Sequence, residues 1–429
     1  MREYEILDVH AVEILDARAI PTLDVTITLK DGITGNATVA SSMDRGGYGA
    51  CELRDGDKRH LGKGVEQAVT NVNTRIADKI IGMNVFEQVR IDQLLIEADG
   101  TENKRKYGAN AILGVSVACA RAAANALGLP LYQYLGGIYT KKMPVPMISL
   151  IDGGDYADNT LDIQELMIAP VGAYNFSHGM EMSCEVYQHL KQILKEKELM
   201  TCIGDEGGFA PCCGTTNDAL NLIVEAVERA GYRLEHDIQI AVNVAASKLY
   251  DENSELYYFQ RESQIVGKEI YRNAEEMVQF YEDIVDRFPI CSIEDGLAAD
   301  DTKGWKLLTY RLGEQTQLVG GDVFGSNVLR LQEGVKESIA NAISVKLCQI
   351  GTLTETMELV ETAKKSGYHI MISHGIGDTE DSVIADLSIA VNAGQIKAGA
   401  PCRGECTAKY NRLLKIEEML GKSAAYHPK

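Results

Sequence analysis

The sequence is short of basic residues, since 42 lysines and arginines stand against 62 aspartates and glutamates and give a net charge of −20 at pH 7. No basic patch stands out, which argues against a nucleic-acid-binding protein. The ten cysteines include no CxxC pair, and Cys402 and Cys406 have no histidine nearby. Scattered thiols in a chain of this size indicate free cysteines in a reducing cytoplasm rather than a zinc site or a disulfide framework.

Long apolar runs are also missing. The first ten residues, MREYEILDVH, contain no apolar signal core, and no run approaches the length of a membrane-spanning helix. We therefore expect a cytoplasmic protein with no membrane contact. The 429 residues are 45% hydrophobic and 24% charged, which is ordinary for a globular chain with two or more domains and a sizeable core in each.

The first third of the chain has an α+β pattern. Strict alternation of apolar and polar residues over Thr22–Leu29 predicts a half-buried strand, and Asp31-Gly32 predicts a hairpin turn into Ile33–Val39. Helices are predicted at Val65–Ile81, Val85–Glu97 and Ala109–Leu127. Leu135-Gly136-Gly137, followed by Pro144 and Pro146, indicates a boundary, and we place the domains at 1–143 and 144–429.

Strands and helices alternate in the rest of the chain. One helix is predicted at Asp218–Ala230, and Ser326 and Thr352 are candidate N-caps of later helices. Strands are predicted at Ile238–Val244, Ile290–Ile293, Gln317–Gly320, Ile343–Leu347, His369–Ser373 and Gln395–Lys397. The spacing is close to the roughly 30 residues per unit of a TIM-type βα barrel, which we predict here. A doubly wound open sheet is the alternative, although no GxGxxG motif opens a helix.

Charged residues end several of these apolar strands. Reactive groups of a βα barrel lie at the carboxyl ends of its strands, and burying an unpaired charge is costly. The predicted strand ends are Glu165, Glu206, Asn243, Glu294, Gly321, Lys346, His374 and Lys397. Such a set indicates an active site. An internal ion-pair network that closes the barrel mouth is the structural alternative.

At these positions the sequence resembles the enolases, the phosphopyruvate hydratases of glycolysis, over nearly its full length. The matching segments are ELRDGDK (52–58), DGTENKRKYGANAILGVS (99–116), MPVPM (143–147), IQELMIAPVGA (163–173), GDEGGFAP (204–211), SIEDGL (292–297), QIGTLTET (349–356) and AKYNRLLKIEE (408–418). The resemblance implies an enolase-like barrel with a smaller N-terminal α+β domain, a homodimer or a dimer-based oligomer, and a small carboxylate or phosphorylated acid as substrate.

The resemblance also implies a mechanism. In enolases a lysine removes the proton beside the carboxylate of 2-phosphoglycerate, two magnesium ions stabilise the ene-diolate, and a glutamate helps the hydroxyl leave. Position by position, Lys346 matches the base and Glu206 the acid. The supporting residues that match are Glu165 and Lys397 at the substrate carboxylate, His374 in the segment after its strand, and Ser41 of the mobile loop, whose carbonyl and hydroxyl help hold the second ion.

The first magnesium position departs from the family. Its three carboxylates correspond here to Asn243, Glu294 and Gly321, so one carboxylate remains. Each lost close ion contact is worth about 4 kcal/mol at an effective dielectric of 20. Asp322 is a possible substitute if Gly321 lets the backbone rearrange, since strand alternation otherwise points it away. We predict weak or absent Mg²⁺ binding.

Further departures lie around the substrate. The Arg-Ser pair of the family's phosphate clamp is Gly375-Ile376 here, although Arg403 is kept, and Tyr156 replaces a histidine. The mobile loop PSGASTGSREA corresponds to ASSMDRGGYGA (40–50). Asp44, Asp152 and Asp155 stand where the intact motifs mostly have Ser, Asn and Glu. They are candidate ligands of a displaced cation, but solvated loop acids are the favoured interpretation.

These losses lead to one hypothesis and two alternatives. Without dications to depress their pKa, Lys346 and Lys397 are expected to stay protonated and to pair with Glu294, Glu165 or Glu206. The protein would then be a degenerate enolase with low or no activity. The alternatives are a working enolase with a modified metal site, and an enzyme of the wider superfamily that acts on a different carboxylate acid.

Overall fold

The computed structural model describes residues 4–41 and 48–427. By its own packing the chain divides into two compact units. The first contains Met1–Thr140, Val345–Thr362 and Ile372–Asn392, and the second contains Lys141–Ser344, Ala363–Met371 and Ala393–Lys429. Asp44, one of the candidate cation ligands, lies outside the described residues.

The first unit contains an antiparallel sheet of β1 (Ile6–Leu15), β2 (Pro21–Leu29) and β3 (Thr34–Thr38) in that order. The predicted alternation in β2 is present, with its apolar residues fully buried. Gly32 has φ +86° at the predicted turn, a conformation that glycine adopts without strain. The predicted Ala-rich helix, Ala109–Ala126, packs so closely on the sheet that a Cβ on Gly35 would lie 2.2 Å from the carbonyl oxygen of Ala118.

Eight strands form a closed barrel, as the sequence predicts. In chain order they are β4 (Val145–Asp152), β5 (Glu165–Ala169), β6 (Gln239–Asn243), β7 (Ile290–Glu294), β8 (Gln317–Gly320), β9 (Ala342–Lys346), β10 (His369–Ser373) and β11 (Gly394–Lys397). Their spatial order follows the chain, and β11 pairs with β4 to close the barrel. The strands predicted from Ile238 onward match β6–β11 to within a residue or two at each end.

The barrel departs from an all-parallel arrangement at β5, which runs antiparallel to both β4 and β6. The link from Gly153 to Gln164 contains only a short 3-10 turn, Gly154–Tyr156, and an antiparallel pair needs no crossover helix. Glu165 therefore begins its strand instead of ending it, which corrects the prediction. The prediction that Glu206 ends a strand is also wrong, because Glu206 lies in a loop between two helices. The first strand of the barrel is β4, which ends at Asp152.

Helices connect and cover these strands. Thr352 caps the helix Leu353–Lys365 as predicted, since its hydroxyl accepts the N–H of Glu355 at 3.2 Å. The N-cap of the helix Val328–Lys336 is Asn327, not the predicted Ser326. The α-helices are Glu66–Asn71, Ala77–Ile80, Gln88–Asp99, Ala109–Ala126, Leu131–Gly136, Phe176–Glu196, Thr216–Arg229, Gln260–Val266, Ala274–Arg287, Thr302–Leu312, Val328–Lys336, Leu347–Ile350, Leu353–Lys365, Val383–Ala390 and Gly404–Leu420. A π-helical turn, Val72–Ile76, interrupts the predicted helix at 65–81.

Across the described ranges, no single helix has the length and apolar composition that spanning a membrane requires, while one bent pair, Ala109–Ala126 with Leu131–Tyr139, meets the test on length and composition only. The ten cysteines are all free thiols, as predicted.

Candidate active site

One transverse row of side chains crosses four neighbouring barrel strands in the second unit. Strand pairing sets Asp152 opposite Glu165, Glu165 opposite Asn243, and Asn243 opposite Glu294. Because β5 is antiparallel, its first residue is level with the last residues of the strands beside it. The pairing thus brings together three buried acids and one amide at the same edge of the barrel.

Lys397, the last residue of β11, neutralises part of this row. Its Nζ lies 2.6 Å from Glu294 Oε2 and 3.0 Å from Glu165 Oε2, and all three side chains are at least 97% buried. Burial alone would lower the pKa of Lys397, but the charges of Glu165 and Glu294 outweigh it and raise the pKa above its ordinary value. The pairing predicted for Lys397 is therefore present, and the ammonium stays charged.

Asn243 acts as a donor to the row. Its Nδ2 donates to Glu165 Oε2 at 2.7 Å, and its Oδ1 accepts the N–H of Ala245 at 3.2 Å. Ser149 donates its hydroxyl to the other oxygen of Glu165 at 2.9 Å. Glu165 thus accepts from an amide, a hydroxyl and an ammonium, which fixes its orientation.

Asp152 is fully buried, so the expectation that it is a solvated loop acid is wrong. Its Oδ2 accepts the backbone N–H groups of Glu206 at 3.0 Å and Gly208 at 3.1 Å, while its Oδ1 has no hydrogen-bond partner. Burial, followed by the charges of Glu206 and Glu165, raises the pKa of Asp152 well above its ordinary value. Asp155, in contrast, is exposed and pairs with Lys248 at the surface.

Tyr156 lies among the same carboxylates. It is buried, and burial together with the charges of Glu206, Glu165 and Glu294 raises its pKa well above the ordinary value. Its phenol therefore stays neutral in this part of the barrel.

Lys346 and His374 belong to the first unit. Lys346 ends β9 and is half-buried. Burial raises the pKa of the neighbouring Cys348 thiol to about 12, although the charge of Lys346 acts to lower it. His374 follows β10, is buried, and has its Nδ1 4.0 Å from Asp378 Oδ2.

Ser41 is held by its own unit. Its backbone N–H donates to the carbonyl oxygen of Gly377 at 2.7 Å, and its hydroxyl donates to Glu52 at 2.9 Å and accepts from Arg54 at 3.1 Å. Gly375 lies against it, since a Cβ there would be 2.6 Å from the Ser41 carbonyl oxygen.

Two family models match the chain. One, described as the enolase N-terminal domain, matches residues 6–135, and the other, described as the enolase C-terminal TIM barrel domain, matches residues 140–429. The chain belongs to the enolase family. Its closed barrel and its N-terminal α+β unit are those expected of an enolase.

Enolases typically bind Mg²⁺, and the residues at the predicted position of the first ion are engaged in other contacts. Gly321 offers no side chain, and its N–H and that of Asp322 both donate to Asp295 Oδ1, at 2.8 and 2.9 Å. Glu294 keeps one buried oxygen without a partner, but Lys397 holds the other. Magnesium prefers several hard anionic oxygens, and within the described ranges no three His, Cys, Asp or Glu side chains are placed to share a metal ion.

Two further positions bear on the enolase comparison. Asp322 is half-buried in the turn after β8, and its role as a substitute ligand stays a prediction. Arg403, the retained arginine, has φ +66°, pairs with Glu405, and donates to the carbonyl oxygen of Gly204 at 3.4 Å. Asp152 belongs to the row although its sequence position, directly after the mostly apolar Ile148–Ile151, favoured a solvated loop acid.

Proposed function

We propose that this enolase-family protein catalyses the dehydration of 2-phospho-D-glycerate to phosphoenolpyruvate slowly or not at all. The observation that carries the proposal is the ammonium of Lys397, 2.6 Å from Glu294, the one acidic residue left at the first magnesium position. A fixed cation already neutralises that carboxylate, and Asn243 and Gly321 supply no further negative charge. The electrophilic part of the reaction therefore lacks its ligands.

The phosphate end supports the same proposal. Gly375 and Ile376 stand where the family has an arginine and a serine, so two charge-assisted or polar contacts to a phosphate are lost. Such hydrogen bonds are worth about 1.5–3 kcal/mol each. The carbonyl oxygen of Ser41, 2.6 Å from where a Cβ of residue 375 would lie, leaves little room to restore a side chain there.

The residues that match the acid–base part of the reaction are kept. Lys346 is proposed as the base and Glu206 as the acid, with Glu165 and Lys397 at the carboxylate and His374 as a further substrate contact. Lys397 and Glu165 are buried and hydrogen-bonded to each other in the arrangement described above. These groups can bind a carboxylate or hold a proton, but none supplies the concentrated positive charge that an ene-diolate needs.

The test is a direct assay with 2-phosphoglycerate and millimolar Mg²⁺, followed by the ultraviolet absorbance of phosphoenolpyruvate. We expect turnover at least about 1,000-fold below the usual enzyme range of 1–1,000 s⁻¹. Lys346→Met is the control, because residual turnover that survives it comes from a contaminating enzyme. Turnover in the ordinary range that Lys346→Met abolishes would refute the proposal and establish a working enolase with a modified metal site.

A second candidate is an enzyme of the wider superfamily that acts on an unphosphorylated carboxylate acid. The specific observation in its favour is that the carboxylate-handling pair Lys397–Glu165 is intact while the phosphate residues are absent. Exchange of the proton beside the carboxylate can be followed by proton NMR in D₂O over a panel of small hydroxy acids. No exchange with any of them would remove this candidate.

The proposal includes a cytoplasmic homodimer or dimer-based oligomer. Family membership and ten free thiols support it. Light scattering coupled to size exclusion measures the mass directly, and a mass near 46.9 kDa would contradict the oligomer.

A further inference from the structure

Asp152 joins the first barrel strand to the loop that carries Glu206. The loop runs over residues 203–209, and backbone pairing fixes its end. The N–H of Phe209 donates to the carbonyl oxygen of Leu150 at 2.8 Å, and the carbonyl oxygen of Phe209 accepts the N–H of Asp152 at 2.9 Å. Between these anchors the Asp152 side chain takes the N–H groups of Glu206 and Gly208 on one oxygen. A single carboxyl group therefore spans the tip of the loop.

The backbone of Glu206 is held on both sides. Its N–H donates to Asp152 at the end of β4, and its carbonyl oxygen accepts the N–H of Ala400, just after β11, at 2.8 Å. The strands β4 and β11 are neighbours that pair with each other in the barrel. The two backbone groups of Glu206 are thus fixed by residues at the ends of two neighbouring strands.

The loop is shaped to this carboxyl group. A Cβ on Gly208 would lie 2.4 Å from Asp152 Oδ1, and one on Gly204 would lie 2.6 Å from Oδ2. Real Cβ atoms do not approach oxygens this closely, so glycine at both positions lets the loop backbone close around Asp152. The register adds a second constraint, because an irregularity between Ser149 and Ile151 sets Asp152 opposite Glu165, on the face of the row.

We propose that Asp152 is the positioning residue for Glu206, and that its side-chain oxygen fixes the direction from which the Glu206 carboxyl group enters the barrel. This inference rests on the proposed function in one respect, the assignment of Glu206 as the acid. The positioning role of Asp152 does not depend on a metal, because residues of the chain itself make the contacts that hold the Glu206 loop. An asparagine would supply the same acceptor oxygen.

The test is amide hydrogen exchange of residues 203–209, measured without substrate or metal. In the unsubstituted protein the N–H groups of Glu206 and Gly208 should be protected. Asp152→Ala should speed their exchange about tenfold, as expected for the loss of about one hydrogen bond's worth of stabilisation. Asp152→Asn should restore exchange to within about threefold of the original rate, since one acceptor oxygen is kept. Asp155→Asn, at the nearby exposed acid, is the matched control and should change nothing.

Three results would overturn the inference: unprotected amides at Glu206 and Gly208 in the unsubstituted protein, equal exchange in Asp152→Ala and the original, or equal acceleration by Asn and Ala. The first needs no variant, so the inference stays testable if Asp152→Ala does not fold. Because no turnover is measured, this outcome is separate from that of the 2-phosphoglycerate assay.

Discussion

Asn243 differs from an aspartate by one atom, an amide nitrogen in place of a carboxylate oxygen, and that nitrogen faces Glu165 at 2.7 Å. A carboxylate there would stand between Glu165 and Glu294 on neighbouring strands, where opposed Cβ atoms are roughly 5 Å apart. Two such charges at 4 Å repel by about 4 kcal/mol at an effective dielectric of 20. The asparagine removes this repulsion and adds a donor, so the row is electrostatically consistent without a dication.

Asp152→Asn should make stability less dependent on pH. The pKa of Asp152 in the folded protein is raised, by burial first and by Glu206 and Glu165 second, so the neutral acid is favoured by folding. Its stabilisation is fully present below the unfolded pKa of about 3.9 and is lost as pH rises through the raised folded pKa. Asparagine does not titrate, so the melting temperature of the variant relative to the original should increase from acidic to alkaline pH.

The measurement for this prediction is thermal unfolding of both proteins at half-unit pH steps. Asp155→Asn is the control, because that acid is exposed and paired at the surface. The quantity compared is the melting temperature of Asp152→Asn minus that of the original protein. If this difference stays constant or falls as the pH rises, the pKa of Asp152 is not raised.

At the scale of secondary-structure elements, periodicity and turn residues predicted most of the barrel strands and the N-terminal sheet. Two features of β4 and β5 could not be obtained in that way. A run of apolar residues does not reveal strand direction, so the antiparallel course of β5 and the place of Glu165 at its start were not visible. The irregularity between Ser149 and Ile151 changes which residues face inward, and alternation in the sequence cannot show it.

The segment after β10 gives a prediction about packing within the first unit. Gly375→Ala should destabilise that unit by about 1–3 kcal/mol, because its Cβ would meet the Ser41 carbonyl oxygen at 2.6 Å and the Ala40 Cβ at 3.0 Å. Gly404→Ala is the matched control, since no atom lies within 4 Å of a Cβ at that helix start.

Urea unfolding curves of the two glycine variants measure this difference. Gly404→Ala should stay within about 0.5 kcal/mol of the original, as surface substitutions do. If both variants unfold at the same urea concentration, the segment is not packed against Ser41 as the structure has it. The arginine expected from the family would then be easier to restore than we infer.

At the scale of the whole molecule, the matching segments were distributed along almost the entire chain, which is why family and fold could be predicted before the structure. The state of the site could not. Which oxygen faces which donor depends on contacts between strands far apart in sequence, such as Lys397 with Glu165 and Glu294. The sequence predicted that Lys397 pairs with Glu294, Glu165 or Glu206, and in the structure it pairs with Glu294 and Glu165.

The last prediction concerns magnesium and the stability of the whole chain. Ten millimolar MgCl₂ should leave the melting temperature unchanged to within about one degree, relative to NaCl of equal ionic strength. A site with Kd near 0.1 mM would instead add about 2.7 kcal/mol at that concentration, which raises the melting temperature by several degrees. Such a rise in the original protein would show that a cation site exists despite Asn243 and Gly321.

Asn243→Asp is the informative partner in this experiment. Without magnesium it should melt lower, because its new carboxylate would face Glu165 where the amide now donates. With magnesium it should recover part of that loss, since two adjacent acids, at 243 and 294, could then share the ion. Adding Gly321→Asp should help less than its charge suggests, because its Cβ would lie 2.5 Å from Asp295 Oδ2, a carboxylate that already accepts two backbone N–H groups. If Asn243→Asp gains nothing from magnesium, the missing carboxylate is not the main obstacle, and the Lys397–Glu294 pair is the remaining barrier to the ion.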